Sequence, residues 1–182
     1  NKADNSGILK YIVIKDSGYK YNPAKEFNGL SLFGVGSGTV VSYIYVADGA
    51  DDGIEFFGGT VNVSNIVSFA NEDDAFDWTE GWSGTNENWF AKIDFGKGNR
   101  GIEADNFELG FLNAPISFPS ITNMTLVGPG SAADGATFTE NQGAKLRRGT
   151  KAIFNNVMIK GFKTGFDVEH DEGLSYIGPD LK

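Results

Sequence analysis

Six times along the chain a small residue is followed by apolar, polar and apolar positions. The copies are Gly29-Leu30-Ser31-Leu32, Gly53-Ile54-Glu55-Phe56, Ala75-Phe76-Asp77-Trp78, Gly101-Ile102-Glu103-Ala104, Gly143-Ala144-Lys145-Leu146 and Gly165-Phe166-Asp167-Val168. Alternation with a period of two predicts short strands that bury one face. A second apolar-flanked motif precedes each copy, centred on Ile12, Ile44, Ile66, Ile93, Met124 and Val157. Successive centres lie 22 to 33 residues apart. No segment carries an apolar pattern of period 3.6 over three turns, which excludes helical repeats. A β-sandwich would supply short strands, but not equivalent residues once in every repeat.

The pattern predicts an all-β fold, a right-handed parallel β-helix of about six coils. Stacked coils bring equivalent residues within about 4.8 Å of one another. Three inward columns are expected. They are Leu30, Ile54, Phe76, Ile102, Ala144 and Phe166; then Leu32, Phe56, Trp78, Ala104, Leu146 and Val168; then the six motif centres. Residues 1–182 read as a single array with insertions near 15–28 and 106–142. Neither end shows a cap, and the first residue is Asn1, so a piece of a longer chain is expected.

Composition narrows the partners. There is no cysteine, which excludes disulfides, thiolate metal sites and cysteine nucleophiles. A net charge of −9 argues against nucleic acid, because phosphate binding needs clustered Lys and Arg. No apolar run is long enough to span a bilayer. The 25 glycines recur singly, as turn residues do. Gly34-Val35-Gly36-Ser37-Gly38 reads as such a turn and not as a phosphate loop, since no helix follows. Asn62 and Asn123 fit the glycosylation sequon but fall in predicted strands.

The blocks Asp51-Asp52-Gly53-Ile54-Glu55-Phe56-Phe57-Gly58-Gly59, Asp73-Asp74-Ala75-Phe76-Asp77-Trp78-Thr79-Glu80-Gly81-Trp82 and Arg100-Gly101-Ile102-Glu103-Ala104-Asp105-Asn106 are specific in combination. The series resembles β-helix-containing secreted or outer-surface proteins of the lipoprotein type from Bacteroidetes and related marine bacteria. The resemblance spans most of residues 7–169, and Phe107 to Pro119 is more apolar than that group. It implies a repeat architecture and an extracellular or outer-surface location. It carries over no catalytic residue.

Between the two inward columns of the short strands, Ser31, Glu55, Asp77, Glu103, Lys145 and Asp167 point outward. Three successive coils thus stack carboxylates at strand spacing. Two unit charges about 5 Å apart repel by roughly 3 kcal/mol at an effective dielectric near 20. Relief comes from a cation, a basic partner or raised pKa values. Asp52 and Asp74 lie three residues upstream, where the next coil has Arg100. Oxygen donors at this density suit Ca²⁺, and a single histidine, His170, argues against an imidazole site. Glu55, Asp77, Glu103, Asp52 and Asp74 are therefore the candidate metal ligands. The alternatives are a solvated column, one neutralised by Arg100 and Lys92, or an active site.

Among the aromatics, Trp78 occupies an inward position and is expected in the core, while Trp89 is ambiguous. Trp82 lies between glycines and reads as a loop residue able to contact glycan, with Arg100 as a second ligand-binding candidate. Tyr11, Tyr43, Asn65, Asn123 and Asn156 are expected to stack at a corner, a ladder that satisfies backbone groups.

Two functions follow. The first is a non-catalytic structural or binding module of a secreted or cell-surface protein, adhesin-like, Ca²⁺-stabilised, meeting surface glycan or neighbouring solenoid domains. The alternative is a polysaccharide lyase or hydrolase working from the acidic face. Fold analogy alone supports the enzyme, and fold does not determine function.

Overall fold

The computed structural model describes residues 1–22, 26–94, 96–130 and 140–169. Long and short strands alternate in chain order. They are β1 (Ile8–Lys15), β2 (Leu30–Phe33), β3 (Val40–Ala47), β4 (Ile54–Phe57), β5 (Asn62–Phe69) and β6 (Phe76–Thr79). The later coils add β7 (Thr85–Lys92), β8 (Ile102–Ala104), β9 (Ser120–Val127), β10 (Gln142–Leu146), β11 (Ile153–Lys160) and β12 (Thr164–Val168). Odd-numbered strands form one six-stranded sheet and even-numbered strands another. Every pairing is parallel and joins a strand to its equivalent one coil away. The fold is a parallel β-helix.

Alternation within the short strands produces the two inward columns expected of them. Ile54, Phe56, Phe76, Trp78, Ile102, Ala104, Ala144 and Leu146 are all buried. Phe166, on the last of these strands, is exposed because no further coil covers it among the described residues; it leans on Phe154.

The fourth residue of each long strand is left-handed: Tyr11, Tyr43, Asn65, Asn88, Asn123 and Asn156 have φ between 52° and 59°. This conformation turns the chain, so each long strand bends around a corner of the solenoid. Asparagine tolerates it better than most residues. The Nδ2 of Asn88 donates to Asn65, Asn123 to Asn88 and Asn156 to Asn123, at 3.0, 3.2 and 2.7 Å. Tyr11 and Tyr43 continue the column as stacked rings 4.8 Å apart. Asn88→Ala is expected to cost about 1–2 kcal/mol, from the left-handed backbone and the lost ladder bonds. Asn88→Gly should cost less, because glycine adopts this backbone freely. Urea titration of both variants checks the order.

Asn88 also corrects the register of the third column. Ile66 pairs with Trp89, and Trp89 with Met124, so Trp89 and not Ile93 takes the fourth place. The corner decides this, since the residue after the left-handed position must point inward. Ile93 is still buried, just beyond the end of β7. Phe90 points outward instead.

Trp78 is in the core, as its inward position predicts, and Trp82 is there too. Trp82 is 0% exposed, stacked on Phe56 at 3.9 Å, with Nε1 donating to the Val61 carbonyl at 3.2 Å. The glycines that make it look like a loop residue are what let it turn in. A Cβ on Gly81 would stand 2.3 Å from the Pro115 oxygen, and one on Gly84 would stand 2.1 Å from the Val61 oxygen. Only a bare backbone allows the coil to close over the indole.

Candidate acidic groove

The outer face of the even-numbered sheet carries the predicted column in register. Ser31 pairs with Glu55, Glu55 with Asp77, Asp77 with Glu103, Glu103 with Lys145 and Lys145 with Asp167. The next outward column runs through Phe33, Phe57 and Thr79. A groove of about 470 Å³ lies over coils two to five, with Glu55, Phe57, Asp77 and Thr79 on one side and Asp105 and Arg147 on the other. Its rim includes Phe107 and Leu109 from the connection 105–119. Buried Asn106 braces that connection, donating to the Phe111 and Asn113 carbonyls and accepting from the Ser117 amide.

The five candidate ligands divide into two groups. Asp74 and Glu103 are neutralised by arginine. The Arg100 guanidinium lies 3.1 Å from Asp74 and 2.6 Å from Glu103, and also pairs with Glu140 at 2.7 Å. Arg147 pairs with Glu103 and, at 2.7 Å, with Asp105, which Arg148 also holds at 2.6 Å. Arg100 is thus a buried cation paired with three carboxylates. Lys92, the other expected neutraliser, belongs to the odd-numbered sheet and donates to the carbonyls of Ile93 and Gly128.

Asp52, Glu55 and Asp77 form the second group. Each offers an oxygen within 4.8 Å of the others, and Asp51, Asp52 and Asp73 form a similar triad beside them. Among the described residues no ion pair reaches Asp52, Glu55 or Asp77. Glu55 accepts from Asn28, and Asp52 accepts from the Asp74 amide at 2.9 Å. One oxygen of Asp77 is buried without a hydrogen-bond partner. Asp74 accepts in turn from the Arg100 amide at 2.7 Å, so the aspartates before β4 and β6 also tie each coil to the next.

Burial drives the protonation of this group. It pushes Asp77 and Asp52 well above the usual carboxylate range, with the neighbouring carboxylates adding to it. Glu55 rises to about 7, first through burial and despite the Asn28 hydrogen bond. Asp51 rises to about 6 through burial and then the charges of Asp73 and Glu26. Glu103 is also raised by burial, opposed by Arg100 and Arg147. Half-buried Glu140 moves the other way, held down by its bond to Arg100.

The repeat and the parallel pairing of its coils agree with a family of β-helix domains. Residues 1–181 match the pectate-lyase like beta helix domain. The chain belongs to that family. No curated protein and no solved structure matches it. A pectate-lyase-like β-helix domain fits a polysaccharide-related role, and among the described residues no helix is long and apolar enough to cross a membrane. His170 lies outside the described residues.

Asn28, Glu140, Arg147 and Arg148 were not singled out from the sequence. For Arg147 the signal was present one step beyond the repeat. The residue after each Gly-apolar-polar-apolar motif faces outward, and in the fifth coil that residue is Arg147. Asn28 and Glu140 had no comparable signal, since both lie in connections whose path the repeat does not define.

Proposed function

We propose that this domain is a non-catalytic polysaccharide-binding module of a secreted or cell-surface protein, with Ca²⁺ held by Asp52, Glu55 and Asp77. The observation that carries the cation is the Asp77 oxygen, buried without a donor beside two further carboxylates that no basic side chain neutralises. Leaving such a group unsatisfied costs about 1–3 kcal/mol, and more when it is charged. Three oxygen donors at this spacing suit a hard divalent ion, which takes oxygens at about 2.3–2.6 Å. Asp74 and Glu103, already paired with arginine, fall outside this set.

The non-catalytic reading rests on where the charges are spent. Arg100 and Arg147 are engaged with carboxylates, and Asp52 and Asp74 are buried beneath the face. A catalytic acid or base must come within hydrogen-bond reach of a substrate proton. The exposed groove and the extended sheet beside it suit binding along a chain.

Differential scanning calorimetry with and without Ca²⁺ tests this reading. At about 100 times Kd a ligand adds roughly 2.7 kcal/mol, or about 5–10 °C for a chain of this size. Asp77→Asn should abolish the shift. Without cation, the folded protein holds protons on Glu55 that the unfolded chain has released between its ordinary value and about 7. Stability of the cation-free protein should therefore fall as pH rises from about 4.5 through 7, and saturating Ca²⁺ should flatten the slope. A melting temperature indifferent to Ca²⁺ at pH 8 removes the metal. Polysaccharide turnover that disappears in Glu55→Gln removes the non-catalytic assignment.

A further inference from the structure

The connection between β1 and β2 carries three exposed aromatic rings, Tyr19, Tyr21 and Phe27, at 76%, 70% and 60% exposure. Tyr11 and Phe33 are as open, at 76% and 68%, but each stacks on the ring of the next coil, Tyr43 or Phe57. The connection is tied to the acidic side of the molecule at its base. Asn28 donates to Glu55, the Gly29 amide donates to the Asp52 carbonyl, and the Ala50 amide donates to the Ser17 carbonyl. Its two ends meet, since a Cβ on Gly18 would stand 2.8 Å from the Phe27 oxygen and 2.7 Å from the Ala50 nitrogen. Lys20 and Glu26 close an ion pair across it. The connection that carries the rings is therefore anchored at its base to the turn that holds Asp51 and Asp52 and, through Asn28, to Glu55.

We propose that Tyr19, Tyr21 and Phe27 form a ring-stacking subsite for neutral pyranose polysaccharide. The proposal rests on the polysaccharide-binding reading above and names its ligand class. A sugar ring has an apolar face that stacks on an aromatic side chain and a polar edge that bonds to groups beside it; the Tyr19 and Tyr21 hydroxyls are polar groups carried by the rings themselves. Charge selects against uronates. The neighbouring Asp51, Asp73 and Glu26 are acidic, and Arg100 and Arg147 are already paired. Even with one divalent ion bound, the three carboxylates around it outnumber its charge. The same acidity disfavours an anionic membrane surface.

Affinity electrophoresis of the intact domain tests this, in gels containing hydroxyethylcellulose, xyloglucan, galactomannan, polygalacturonate or alginate, with Ca²⁺ present. Retardation by at least one neutral polymer is expected, with weaker or no retardation by the two polyuronates. The Tyr19→Ala/Tyr21→Ala/Phe27→Ala variant should bind that polymer at least tenfold more weakly, with an unchanged circular dichroism spectrum. Tyr21→Phe, which keeps the ring, should bind as the parent does. Retardation by polyuronates alone would overturn the proposal, as would full binding by the triple variant; either result leaves polysaccharide binding itself standing. If no polymer retards the parent domain, the binding reading fails and this subsite fails with it. Should the triple variant not fold, chemical shifts of the Tyr and Phe rings decide. Shifts on adding neutral oligosaccharide support the subsite, and unmoved rings overturn it.

Discussion

Arg100→Ala should destabilise the domain by about 3–5 kcal/mol, the cost of removing one member of a buried ion pair. Arg100 is 7% exposed and bridges Asp74, Glu103 and Glu140 across three successive coils. Its loss leaves Asp74 buried with a negative charge and only its amide donor from residue 100. The deficit should depend on pH. With the arginine gone, burial still favours the protonated carboxyls, so the folded form takes up protons more readily than the unfolded chain. Stability lost at pH 8 should be partly recovered near pH 5. Urea titration at both values measures this, and equal deficits at the two would show that lost packing rather than charge dominates.

The second large effect is expected at Trp82. Trp82→Ala should cost about 3–5 kcal/mol, the range for deleting a buried aromatic side chain. The indole fills the space between Phe56 and Trp89, with ring centroids at 3.9 and 6.2 Å, and its Nε1 satisfies the Val61 carbonyl. Trp82→Phe should cost less, since it keeps ring contact and gives up the hydrogen bond. A surface tryptophan serving only as a ligand contact would leave stability within about 0.5 kcal/mol of the parent. Denaturant titration therefore separates a core role from the ligand role that its glycine neighbours suggested.

Trp82 and Trp89 show why local pattern is an incomplete guide. Both are buried, yet neither sits in the repeat as written. Trp82 is bracketed by Gly81 and Gly84, residues that mark turns in any sequence. Whether such a turn faces water or the core depends on Val61 and Pro115 closing over it. Trp89 takes its rung because Asn88 makes the corner, and an extended four-residue motif ending at Ile93 fits the same apolar positions. The difference is a shift of four residues: in the true register polar Asn86 takes the apolar position of the motif, whereas Phe90 and Ile93 fulfil the pattern at the wrong rung.

The acidic face divides along the same line. Its column of outward residues was predictable, because alternation alone places Glu55, Asp77 and Glu103 on one side of neighbouring strands. Their electrostatic fate was not. Glu103 is paired by Arg147, some forty residues later, whereas Asp77 forms no ion pair among the described residues and keeps one buried oxygen without a donor. Lys92 appeared equally available and lies on the other sheet.

What the sequence by itself determined is the solenoid: its strands, their inward and outward positions, and the register of the short-strand sheet. These follow from the order of residues within a single coil, where side-chain direction alternates by geometry. Only the tertiary structure decided which carboxylates are neutralised, that Trp82 and Trp89 join Trp78 in the core, and which aromatic rings stay exposed. Those outcomes depend on contacts between coils and on the paths of connections, which bring together residues far apart in the chain.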